Sequence, residues 1–149
     1  MKRLPPVVAS LTLLLFALGA IAQNSKKTLF KDFPSLINCK ATLFDKALNA
    51  KEGQHITLEV SENFKFSGTV VSHVLKYGKM QTVVIRSEVF EGALLLVSKQ
   101  NLPNNRFSYT GRIMSPLASD GYQIKQDEKG SFVFQKIDTD RLLETCAHP

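Results

Sequence analysis

The chain has two thiols, Cys39 and Cys146. In an oxidising compartment, two cysteines in one small domain read as a single bridge. It would staple the ends of the fold and close a loop on the order of 100 residues, worth about 4.7 kcal/mol in the chain-entropy model. Two free thiols stay the alternative, because spacing alone does not set disulfide geometry. Without a C-x-x-C pair, a catalytic dithiol is not expected. The histidines are His55, His73 and His148. None stands at i+2 or i+4 from another and no H-E-x-x-H occurs, so the reading assigns no metal and no cofactor. His73 lies in an apolar run beside Ser72, and Asp120 is the acid that would complete an acid–base site with it. No G-x-S-x-G elbow supports a Ser–His–acid arrangement. No catalytic residue is therefore assigned, and an enzyme with a site around His73 and Asp120 is kept as an alternative. Asp120, Asp127 and Glu128 sit where turns fall, in spacing unlike a calcium loop, and turns use Asp for its own backbone bonds. Tryptophan is absent, which leaves Tyr77, Tyr109 and Tyr122 as stacking platforms.

Basic residues carry the other chemistry. Lys65, Arg86, Lys99, Arg112, Lys125 and Lys136 are spread along strand-like segments. Arg106, Arg112 and Lys125 are candidate members of one outward cationic patch for a polyanion or an acidic protein. Alternation places Arg112 and Lys125 outward. It leaves Arg86 ambiguous, since Val83, Val84 and Ile85 make that segment apolar on both sides. Glu88, Glu91 and Asp127 are the acids that would cancel such a patch. The commoner use of scattered basic residues is protection of strands against edge-to-edge pairing.

The first 22 residues read as a signal peptide. Lys2 and Arg3 precede the apolar stretch Leu11–Ala22, and Ala20 and Ala22 offer small side chains before Gln23. The apolar run falls short of the roughly 20 residues that a spanning helix needs, so no stable membrane anchor is expected. Cleavage removes Lys2 and Arg3 and lowers the formal charge from +6 to +4. Residues 23–149 then form a single exported domain, secreted or periplasmic.

Within it, Cys39–Ala50 carries an amphipathic helical period, with Leu36, Leu43, Phe44, Ala47 and Leu48 on one face. From Gln54 onward the period changes to two. Seven strand-like runs follow, separated by Ser61–Asn63, Tyr77–Lys79, Glu91–Gly92, Pro103–Asn105, Ser119–Gly121 and Asp127–Gly130. Val70, Val71, Val74 and Leu75 make the second run apolar on both faces, as Leu94–Val97 does the fourth, which predicts central strands covered on both sides. Gly68 within a strand predicts a bend, a bulge or a close backbone approach. Asp138–Cys146 closes the chain as a turn or short helix docked by Leu142 and Leu143. The fold expected is α+β and mainly β: an N-terminal helix on a curved antiparallel sheet of about seven strands, closing towards a small barrel.

The runs FKFSGTVVSHVLKYGKMQTVVIRS, YTGRI, DGYQI and SFVFQKI are similar to those of an uncharacterised group of small exported bacterial β-rich proteins. The resemblance covers Phe30 to Glu144 and implies export and one compact domain. The group has no assigned activity, so no site residue is carried over. Together these readings point to an exported, non-enzymatic binding or interaction module, its partner a protein or a polyanion. A polyanion-binding β domain is the second alternative beside the enzyme.

Overall fold

The computed structural model describes residues 26–104, 106–127 and 130–144. Residues 1–22, expected to be a signal peptide, and Cys146 lie outside the described residues. Eight antiparallel strands form one curled half-barrel sheet. In chain order they are β1 (Leu36–Cys39), β2 (His55–Glu59), β3 (Lys65–Lys76), β4 (Met80–Ser87), β5 (Leu94–Leu102), β6 (Arg106–Met114), β7 (Asp120–Gln126) and β8 (Phe132–Asp138). Two short helices accompany them, α1 (Ala41–Leu48) and α2 (Thr139–Glu144). The order across the sheet is β1-β8-β7-β6-β5-β4-β3-β2, a meander from β2 to β8 with β1 added beside β8.

Two expectations change. The sheet has eight strands and not seven, because Leu36–Cys39 is a strand rather than the approach to a helix. Its four residues are too few to show a period, and the pairing that makes it a strand is remote: Ile37 lies opposite Phe134 and Cys39 opposite Phe132. The helix is therefore not the first element, and it makes about two turns instead of three. Lys40 precedes it in extended conformation and supplies no side-chain cap. So short a helix is marginal alone, and packing holds it. Phe44, Ala47 and Leu48 are buried against the inner face of the sheet, and Lys46 donates to the Thr57 carbonyl on β2 (2.7 Å).

That inner face holds the core. At one end the rings of Phe30, Phe33, Phe64, Phe90 and Tyr122 interlock, Phe30 meeting Phe64 and Tyr122 edge-on at 6.1 and 5.4 Å. At the other end Phe44 of α1 meets Tyr109, Phe132 and Phe134. The curl demands glycine where strands close in. A Cβ on Gly68 would strike the Arg86 carbonyl of β4, and one on Gly111 the Leu96 carbonyl of β5. Val71 is an extra residue in β3, a bulge between the Val70–Ile85 and Ser72–Val84 pairs.

The sheet is covered on one side. Leu94 and Leu96 are exposed on its outer face, and Val74 and Leu75 are exposed where β3 runs past the core. This corrects the reading of β3 and β5 as strands buried on both faces.

Candidate functional site

Three sets of polar groups on the inner side hold the fold together. Asp120, 8% exposed at the start of β7, accepts the backbone N–H groups of Leu29 (2.8 Å) and Phe30 (2.9 Å). Its strand neighbours complete the grip. Tyr122 donates to the Pro34 carbonyl (2.6 Å), and Lys136 donates to the carbonyls of Phe30 and Phe33 (2.6 Å each). Burial, and after it the charge of Asp120, pushes the Tyr122 phenol up to about 12. Three side chains of β7 and β8 thus hold the turn that carries Phe30 and Phe33 into the core.

A second latch holds α1. Asp45 accepts from Lys99 (3.0 Å) and from the Tyr109 hydroxyl (2.5 Å). Burial raises the Asp45 carboxyl, but the bonds from Tyr109 and Lys99 outweigh it and hold the group below its ordinary value. His73 belongs to a third latch: Gln81 spans its Nε2 (2.9 Å) and the Leu48 carbonyl at the end of α1 (2.7 Å). His73 and Asp120 are not brought together. They lie on β3 and β7 with three strands between them, and both Asp120 oxygens already accept backbone amides. Among the described residues no group of three His, Cys, Asp or Glu side chains could hold a metal.

Cys39 lies half-buried on β1, where burial pushes its thiol up to about 12 against a backbone bond from Phe134. Such a thiol is inert as a nucleophile at neutral pH. No disulfide is seen among the described residues. Cys39 pairs with Phe132, six residues or about 20 Å of strand from Asp138, the residue before α2. The groove beside Cys39, about 520 Å³ between the two sheet edges, is lined by Lys40, Leu43, Lys46 and Glu59.

The outer face is different in kind. Strand register sets two neighbouring rows on it. One runs Ser72, Val84, Leu96, Arg112, Gln123; the other runs Thr69, Arg86, Leu94, Met114. Leu94, Leu96 and Met114 are 38–40% exposed. They form an apolar patch with Val84, and Arg86 and Arg112 stand at its diagonal corners. Directly opposed residues on neighbouring strands are about 5 Å apart at Cβ, so each arginine lies against a leucine.

Of the residues expected in a cationic patch, Arg112 and Lys125 fall on adjacent strands of this face. Arg106 is six residues, about 20 Å, along β6 from Arg112. Arg86, which alternation left ambiguous, takes its place. Neither Arg86 nor Arg112 forms an ion pair with a described residue. Of the acids expected to cancel the patch, Glu91 pairs with Lys27 (3.6 Å) and Asp127 accepts from the Ser131 N–H (2.7 Å), while Glu88 stands at the edge of the patch, bound to His55 (3.0 Å) and to Thr69 (2.9 Å), the residue opposite Arg86. No outward position of β3 to β8 is Asp or Glu; the two carboxylates these strands contain, Asp120 and Asp138, grip the 29–34 turn and cap α2. Sequence reasoning missed Leu94 and Leu96 because their signal, apolar residues on both faces of a strand, is also that of a doubly covered strand, and Met114 because it ends a strand whose other outward residues are polar.

No family model, no curated protein and no solved structure matches the chain.

Proposed function

We propose that this protein is an exported, non-enzymatic binding module that recognises an acidic macromolecule through the outer face of its sheet. The observation that carries the reading is the patch of Val84, Leu94, Leu96 and Met114 between Arg86 and Arg112, on three strands, β4 to β6, that contain no carboxylate. An exposed apolar cluster rimmed by charged side chains is the composition of a recognition surface, and the two arginines at its corners favour a partner of opposite sign. The apolar centre favours an acidic protein over a polyanion such as a nucleic acid or sulfated glycan, which has nothing to cover leucine and methionine. The titratable clusters of the inner side support the non-enzymatic part, because each is spent on holding a turn or a helix. Export rests on Ala20, Ala22 and the polar segment from Gln23, and the Cys39–Cys146 bridge remains part of the proposal. N-terminal sequencing of the exported chain should begin at Gln23.

Retention on a sulfated-dextran column tests the face. Arg86→Glu with Arg112→Glu is compared with Lys31→Glu and Lys51→Glu, which produce the same net charge on exposed loops. The face variant should elute at clearly lower salt, since each neutralised contact releases counterions. Coincident elution of the two variants would show that only net charge matters and would remove the reading.

A further inference from the structure

At one end of the sheet two hairpin tips stand side by side, away from the outer-face patch. The β3–β4 tip is Lys76–Lys79 and the β5–β6 tip leads into Arg106; the Asn101 N–H donates to the Lys79 carbonyl (2.8 Å) and ties them together. The first tip is built against local preference. The Lys79 N–H closes on the Lys76 carbonyl (3.1 Å), with Tyr77 (φ 55°) and Gly78 (φ 63°) both left-handed. Such a turn favours Asn-Gly, and a bulky residue at positive φ is strained. The neighbouring tip meets the same demand with the expected residue, Asn104 (φ 62°). The strained Tyr77 is also 92% exposed, so packing does not repay the conformation.

Leu75 (67% exposed) and Phe107 (50%) flank it, interleaved with exposed Lys76, Lys79 and Arg106. No Asp or Glu occurs between Glu62 and Glu88 or between Glu91 and Asp120, so both hairpins are free of carboxylates. Asp45 of α1 is taken up by Lys99, whose Nζ also sits 4.4 Å from the Phe107 ring centre.

We propose that these paired tips dock the protein reversibly on an anionic lipid surface. The shape favours lipid over a folded partner: Tyr77 stands 92% exposed in the turn and Leu75 67% exposed at the strand end before it, and a flat rigid surface would be propped away by them. A bilayer yields to such tips. It takes Leu75 and Phe107 into the acyl boundary, holds the tyrosine ring at the headgroup level, and presents phosphates to the three cations. A soluble polyanion would satisfy Lys76, Lys79 and Arg106 but leave the apolar residues in water. The site is separate from the outer-face patch. Arg86 lies six residues, about 20 Å, from Met80 at the tip, beyond the roughly 10 Å Debye length at 0.1 M salt.

Co-sedimentation of the purified chain with vesicles at 0.1 M salt tests this, using phosphatidylglycerol mixed with phosphatidylcholine against phosphatidylcholine alone. Binding is expected only to the anionic vesicles. Lys76→Gln and Lys79→Gln should each weaken it about fivefold. Leu75→Ser with Tyr77→Asn should weaken it at least tenfold while the melting temperature holds or rises, because asparagine suits the turn. Arg86→Gln with Arg112→Gln, which disables the outer face, should change vesicle binding by less than about twofold. Equal pelleting with neutral vesicles or no pelleting at all would overturn the proposal. So would binding that survives Leu75→Ser with Tyr77→Asn and responds only to charge, the outcome expected of a polyanion site.

Discussion

The two faces of the half-barrel sheet use the same residue types for opposite ends. On the inner face Asp120, Lys136, Tyr122, Asp45 and Lys99 are each bound to a partner, and Phe30, Phe44, Phe64 and Phe134 among them are buried. On the outer face Arg86 and Arg112 stand in water beside half-exposed leucine and methionine, with Lys125 exposed on the next strand. A lysine on the inside is part of the fold's hydrogen-bonding inventory; an arginine on the outside contributes nothing visible to it. The difference teaches that charge and apolarity alone do not mark a functional surface. What marks it is polar and apolar groups left without partners together.

If that division is right, substitutions on the inner side should be costly and those on the outer side nearly silent. The largest effect is expected from Phe30→Ala, which removes a fully buried ring that meets Phe33, Phe64, Phe90 and Tyr122. Urea unfolding should show a loss of about 3–5 kcal/mol. A loss below 1 kcal/mol would mean that the 29–34 turn is not an integral plug of the core.

Next comes Asp120→Ala. It leaves the N–H groups of Leu29 and Phe30 without their acceptor, and an unsatisfied buried donor costs about 1–3 kcal/mol. A loss of about 2–4 kcal/mol is expected in the same assay. If Asp120→Ala were instead as stable as the natural chain, the carboxylate would be free for other work and the acid–base alternative would regain ground.

How far the sequence disclosed this division depends on the range of the interactions. The strand Arg106–Met114 was legible because its alternation is local: Tyr109, Gly111 and Ile113 inward, Ser108, Thr110 and Arg112 outward. The helix was legible through Phe44, Ala47 and Leu48, although its length was not. Leu36–Cys39 was hidden because four residues show no period and its pairing partner is the last strand. The Asp120 clamp joins residues 90 positions apart, and no local pattern announces it. The exposed Leu94 and Leu96 were visible as residues but not as a surface, since strand propensity reports burial on neither side. Of the cationic candidates the grouping was not legible, because which residues neighbour Arg112 depends on the register between strands, and the side taken by Arg86 depends on which of two apolar faces of β4 is the buried one.

A smaller effect comes from pH. The Asp45 carboxyl lies below its ordinary value of 3.8 in the folded protein, so its stabilising contribution is present above pH 3.8 and is lost as pH falls through the depressed value. The pair is 42% exposed on the aspartate side, so solvent screening limits its worth to about 1 kcal/mol. Thermal unfolding from pH 2 to 6 should show the natural chain above Asp45→Asn at pH 6 and the two converging near pH 2. A constant gap would mean that Tyr109 and Lys99 do not hold the charged form of Asp45.

The smallest effect is the most direct test of the division. Leu94→Thr, Leu96→Thr and Met114→Thr together remove the apolar patch while keeping residues that favour strands. Exposed substitutions away from core contacts cost little, so urea unfolding of the triple variant is predicted to lie within about 1 kcal/mol of the natural chain, well short of the single Phe30→Ala. A loss equal to or larger than that of Phe30→Ala would contradict the account, because it would show that the outer patch is packed within the folded protein and is not a surface held open for a partner.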